Sequence, residues 1–182
     1  MDEKRVVKIS KYLSKHLRHA PQAIGLTLQP GGWVEVDELL HACAQGNFPI
    51  TRAQLEEVVA KNNKRRFAFD ETSTRIRASQ GHSVEVDLQL ATATPPAVLY
   101  HGTAQQNMEI ILRDGLQKMR RHHVHLSSDT ETARNVGARH GKPVVLQVDA
   151  QVMHDAGFLF QCSENGVWLV DSVPPQYLRV TL

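Results

Sequence analysis

Between residues 4 and 18, Val6, Ile9, Leu13 and Leu17 recur at helical spacing, while Lys8, Lys11 and Lys15 fall elsewhere around the wheel. Pro21 disfavours helical geometry at Ala20, so this helix is predicted to end near Arg18 and His19, leaving both side chains at a terminus. Gly31–Val36 reads as a turn and a short strand, after which Asp37 is expected to cap a helix that stops by Gly46. Thr51-Arg52-Ala53-Gln54 is a capping-box pattern that opens a helix through about Lys61. Arg66–Asp70 and Arg75–Ala78 then read as two strands of a hairpin around Glu71–Thr74. Three helices followed by a hairpin describe a winged-helix lobe.

Val84–Leu90 alternates and is predicted to be a further strand. Ala91–Pro96 (ATATPP) breaks the composition and is read as a linker between lobes at 1–92 and 97–182. Beyond it, strands are expected at Val98–His101, Arg121–Ser127, Val144–Val148, Phe158–Gln161, Val167–Val170 and Arg179–Leu182. Helices are expected at Gln105–Arg113, stopped by Gly115, and from Ser128-Asp129-Thr130-Glu131 to His140, stopped by Gly141. This second lobe is mixed, with little helix, so the whole chain is of the α+β class.

The 182 residues carry a formal net charge of +2, too small to announce a nucleic-acid protein. Local clustering changes that picture. In Met119–Ser128 (MRRHHVHLSS), a two-residue period sends Arg121, His123, His125 and Ser127 to one face and His122, Val124 and Leu126 to the other. The same chemistry recurs at Lys15-His16-Leu17-Arg18-His19 and at Lys64-Arg65-Arg66. The charged start MDEKR and the absence of a long apolar run argue against a signal peptide or membrane span. Cys43 and Cys162 form no CxxC pair, which suits a reducing cytosol. A cytoplasmic monomer is the expectation.

His123-Val124-His125 has the form of a zinc pair, but a catalytic site needs three ligands and Arg120 and Arg121 repel a cation, so no metal is expected. No G-x-S-x-G elbow, Walker loop or G-x-G-x-x-G fingerprint is present. Anion handling explains the arginines better. Guanidinium stays charged and presents forked donors that match phosphate oxygens. Each charge-assisted hydrogen bond contributes about 1.5–3 kcal/mol, and histidine beside them moves protons near neutral pH.

The chain resembles the RNA 2′-phosphotransferases almost from end to end. The resemblance rests on Leu13–His19, Gly32-Trp33-Val34, Lys64–Phe67, Arg77–Ser83, Leu99–Thr103 and Arg121–Ser127. It implies a winged-helix lobe for RNA and an ADP-ribosyltransferase-like lobe for NAD⁺, the co-substrate. It further implies a two-step transfer of an internal RNA 2′-phosphate, as at a tRNA-like splice junction, with Arg18, His19, Arg66 and Arg121 as the catalytic set. The family's three-residue NAD⁺ signature falls on His101, His125 and Val167. Many protein ADP-ribosyltransferases place a glutamate at the third of these positions. Gly102 and Thr103 adjoin the first. Ser127 and Arg134 are candidates for the pyrophosphate. Lys15, Lys64, Gln80, Gly81, His82 and Ser83 are the expected RNA contacts, and Ser79 stands where the family often has Asn. Two alternatives remain: ADP-ribosylation of a protein or of a terminal nucleic-acid phosphate, with Glu164 near the third position, and a non-catalytic winged-helix regulator. In the leading reading, guanidinium groups from both halves act on one phosphate beside a dinucleotide.

Overall fold

Asp2 accepts the Arg5 N–H at 2.7 Å and so starts α1 (Glu3–Arg18), which buries Ile9, Leu13 and Leu17. The structure is a computed structural model that describes residues 1–61 and 65–181, and it divides into two units, Met1–Gln89 and Leu90–Leu182.

In the first unit, β1 (Val34–Glu35) runs directly into α2 (Val36–Gln45). Asp37 does not cap this helix. The N-cap is Glu35, without a side-chain cap, because the Val36 N–H is already held by the Thr74 carbonyl at 2.8 Å. The box expected at Thr51 is present and opens α3 (Arg52–Ala60). It contributes about 1 kcal/mol to such a helix. Next come β2 (Phe67–Phe69) and β3 (Arg75–Ala78), and the antiparallel order β1-β3-β2 sets Phe67 opposite Ala78 and Val34 opposite Ile76. Ile9, Leu13, Leu39, Leu55 and Ile76 form the fully buried core beneath this sheet and the three helices.

Residues 84–90 form no strand. Their alternation survives as burial: Val84, Val86, Leu88 and Leu90 are half-buried, while Glu85, Asp87 and Gln89 face out. The period reported a two-sided segment, but among the described residues it joins no ladder, and the Asp87 carbonyl accepts the Gly31 N–H at 2.8 Å.

In the second unit, Ala93 donates its N–H to the Phe160 carbonyl at 2.8 Å, so the expected linker is tied to the unit that follows it. The elements are β4 (Leu99–Ala104), α4 (Met108–Asp114, after a 3₁₀ turn at Gln105–Asn107), β5 (Leu116–Gln117) and β6 (Val124–Leu126). They continue with α5 (Thr130–Gly137), β7 (Pro143–Val148), α6 (Ala150–Asp155), β8 (Gln161–Cys162), β9 (Trp168–Val170), β10 (Ser172–Val173) and β11 (Leu178–Val180). Strands pair antiparallel in the orders β11-β7-β4, β6-β9-β8 and β10-β5. Tyr100 and Ser127 exchange both backbone hydrogen bonds at 2.8 Å, which ties β4 to the end of β6. Phe158–Phe160 is irregular, so the strand expected there begins only at Gln161, and β5, β10 and α6 were not anticipated.

Two expectations near the basic motif are corrected. Arg121–His123 lie in a bend, not a strand: Met119 has φ +54, the Arg121 N–H folds back to the Lys118 carbonyl at 3.0 Å, and the ladder starts at Val124. α5 stops at Gly137 rather than His140, because the Arg139 and His140 N–H groups turn back to the Val136 and Gly137 carbonyls, three residues earlier. Among the described residues, no helix is long and apolar enough to cross a membrane.

Candidate functional site

Three separate segments of the first unit meet at the C-terminus of α1. His19 caps that helix, with its N–H on the Lys15 carbonyl at 3.0 Å. The chain after β3 returns to it through Gly81, whose φ of +84 is a conformation that suits glycine. The Ser83 N–H then donates to the Arg18 carbonyl at 2.8 Å, and Ser83 Oγ lies 2.9 Å from His19 Nδ1. Arg66 is fixed from its backbone: Ser79 donates its N–H to the Arg66 carbonyl and its Oγ–H to the Arg65 carbonyl, both at 2.9 Å. Arg18 Nη2 reaches the Arg66 carbonyl at 3.5 Å. Arg18, His19 and Arg66 are thereby gathered, with Ser83 beside the imidazole.

The expected RNA contacts divide. Lys15 is exposed on α1. Lys64 lies outside the described residues. His82 is only 2 % exposed and packs against Gly32, and Ser79 spends its hydroxyl on the backbone. Gln80 keeps Oε1 buried with no hydrogen-bond donor among the described residues.

In the second unit, His101 on β4 donates Nδ1–H to the His125 carbonyl at 3.0 Å, leaving Nε2 as the acceptor. Burial pushes the His101 pKa down, outweighing that hydrogen bond, so the ring is held neutral. Arg121 joins His125 although its strand is absent: Nη1 donates to His125 Nδ1 at 3.0 Å, which leaves the imidazole proton on Nε2. Burial, and the positive charge of Arg139, lower the Arg121 pKa from its ordinary value.

Gly102 is used by the fold. A Cβ there would stand 1.6 Å from the Ala133 carbonyl oxygen, so its hydrogen lets α5 lie on β4. Thr103 is buried and accepts from Asn107 Nδ2 at 3.2 Å. Val167 closes a turn, accepting the Ser163 N–H at 2.9 Å and donating to Ser163 Oγ at 3.1 Å. Asp129 caps α5 by accepting the Thr132 N–H at 2.7 Å, so that helix start already holds a carboxylate; Arg134 is exposed on the helix. Sequence reasoning missed Arg139 and the His19–Ser83 pair, for which no spacing rule gives a signal. Burial pushes the Cys43 thiol up to about 11, away from nucleophilic use. Among the described residues no group of three or more metal-ligating side chains converges.

Arginine, imidazole and hydroxyl groups gathered in this way define a protein suited to oxyanion chemistry. Residues 4–172 match the family model described as RNA 2′-phosphotransferase, Tpt1 / KptA family. A "Probable RNA 2′-phosphotransferase" of Trichormus variabilis is 65 % identical over 180 residues, covering 99 % of both chains. Those of Nostoc punctiforme and Streptomyces coelicolor are 63 % and 60 % identical over 179 residues, covering 98 % of this chain and 99 % and 97 % of theirs. The chain belongs to the RNA 2′-phosphotransferase, Tpt1 / KptA family.

Proposed function

We propose that this chain is an NAD⁺-dependent RNA 2′-phosphotransferase. Its first unit acts as a winged-helix RNA-binding lobe and its second as an ADP-ribosyltransferase-like lobe. The observation that carries this reading is the gathering of Arg18, His19 and Arg66 from separate segments, in a chain of this family.

The donor set of the second unit suits NAD⁺. Arg121, Arg134, Ser127 and the His125 Nε2–H supply donors for a pyrophosphate, and neutral His101 offers Nε2 to a ribose hydroxyl. A phosphate monoester is largely dianionic at neutral pH, with a second pKa of about 6, so its attack on the nicotinamide ribose needs no general base. In the first step the RNA 2′-phosphate oxygen bonds to C1″ and nicotinamide leaves. In the second, the ribose 2″-hydroxyl attacks that phosphorus. The RNA 2′-oxygen departs with a proton, giving 2′-hydroxyl RNA and ADP-ribose 1″,2″-cyclic phosphate. Arg18, Arg66 and Arg121 stabilise the charge gathering on phosphorus oxygens, and His19 carries the proton to the leaving oxygen.

The test is incubation with NAD⁺ and an RNA bearing one internal 2′-phosphate. The cyclic phosphate product is expected. ADP-ribosylated RNA left unresolved, or no turnover, would remove the two-step reading. Activity is expected to be unchanged by EDTA.

A further inference from the structure

Beside His19 and Arg66, an open groove of about 600 Å³ runs along the surface between α1 and the end of α3. Its floor is apolar, with Val7 46 % exposed and Val58 buried beneath. Its walls carry Lys11, Lys15 and Lys61, and no carboxylate lines it. Lys61 leans on Glu57 at 2.5 Å, but among the described residues Lys11 and Lys15 have no ion-pair partner. Two unpaired ammonium groups at (i, i+4) on one helix face repel each other, and a solvated face gains nothing from that arrangement. A polyanion lying along the helix turns the repulsion into attraction.

We infer that this groove holds the single-stranded RNA flanking the 2′-phosphate, following α1 from His19 towards its N-terminus. The inference rests on the proposed function, since His19 and Arg66 at one end of the groove are the residues assigned to the phosphate. From Lys15 back to Val7 the helix rises about 12 Å, equal to about three to four nucleotides at the 3.4 Å per-strand spacing of a stacked helix. The groove is concave and lined from two neighbouring elements, so a single strand reaches its floor where the convex surface of a duplex meets only the rim. Along its length from Lys15 to Val7 it is lined by no aromatic ring and no amide side chain, the His19 imidazole standing only at its phosphate end, so the flank meets no stacking platform and no base-edge reader. The flanking strand is therefore held by its phosphates and by apolar contact of its sugars, with little dependence on sequence.

The experiment compares a 2′-phosphorylated dinucleotide with the same dinucleotide inside a single-stranded 10-mer, by fluorescence anisotropy on the full chain. Lys11→Ala is the variant; Lys11 is exposed and alanine is a good helix former, so the fold is retained. Each lysine contact to a single strand contributes a salt slope of about 0.7, equal to about 5-fold in affinity at 0.1 M salt. The variant is expected to bind the 10-mer about 5-fold more weakly, with the slope reduced by about 0.7, and the dinucleotide as before. Flanks of different base composition are expected to bind alike. Equal losses on both ligands, no loss on either, or preferential binding of an acidic peptide of matched charge would overturn the inference. Nicotinamide release from NAD⁺ and the dinucleotide reads the proposed function separately. Its absence, with the binding difference intact, would sink that function and leave the groove supported.

Discussion

His19 illustrates how much a single side chain depends on residues remote in sequence. Its Nδ1 faces Ser83 Oγ at 2.9 Å, and that serine is held by a backbone hydrogen bond to Arg18. Ser83 is thus a positioning residue for the imidazole that carries the proton in the proposed second step. One such hydrogen bond contributes about 0.5–1.5 kcal/mol, so Ser83→Ala should slow cyclic-phosphate formation by roughly 2- to 12-fold. Threonine at this position should restore it, whereas nicotinamide release should not change. In the proposed mechanism Arg66 acts where charge accumulates, and loss of one such donor costs on the order of 10²–10³ in rate. Arg66→Ala is therefore expected to release nicotinamide and accumulate ADP-ribosylated RNA. Complete loss of nicotinamide release would show that Arg66 serves the first step instead.

The pairing of α5 with β4 shows an element placed by what a residue lacks. With hydrogen at Gly102, the Ala133 carbonyl approaches to where a methyl would stand. Gly102→Ala forces helix and strand apart, and overpacking of this kind costs about 1–3 kcal/mol or more. A 3 kcal/mol loss in a unit the size of Leu90–Leu182 lowers its Tm by roughly 12–24 °C, which calorimetry would detect; an unchanged Tm would show that α5 is free to shift. The same element carries Arg134, while Arg121 reaches His125 from a bend rather than a strand. Alternation at 121–127 thus put Arg121 with His125 but on the wrong backbone, because a long flexible guanidinium covers the distance that a strand register would have set.

Each unit has its own core, and each has its own response to acid. His101 in the second unit is depressed from 6.5 by burial, so below pH 6.5 the unfolded chain takes up a proton that the folded unit resists. The stability it contributes is fully present above 6.5 and is lost as pH falls through the depressed value. His101→Gln should therefore flatten the decline in the urea midpoint of this unit below pH 6.5. In the first unit, Asp70 falls from 3.8 to about 2, held mainly by the Arg75 N–H and then by the Arg75 and Thr72 side chains and the Thr74 N–H. Its contribution is present above about pH 4 and disappears towards 2, so Asp70→Asn should remove that stretch of the curve. Trp33 and Trp168, the two tryptophans, lie one in each unit and report the transitions separately.

Local chemistry was enough, in the sequence alone, for the amphipathic stripe of α1, the Thr51 box, the hairpin and the basic motifs, because each depends on residues a few positions apart. The resemblance also named Arg18, His19, Arg66 and Arg121. Where competing partners decide, the sequence was silent. It could not show that Thr74 takes the Val36 N–H and that the helix starts ahead of Asp37, that residues 84–90 find no ladder, or that His82 and Ser79 turn inward. Hydrogen bonds and burial are settled between segments far apart in the chain, and only the folded arrangement says which donor meets which acceptor.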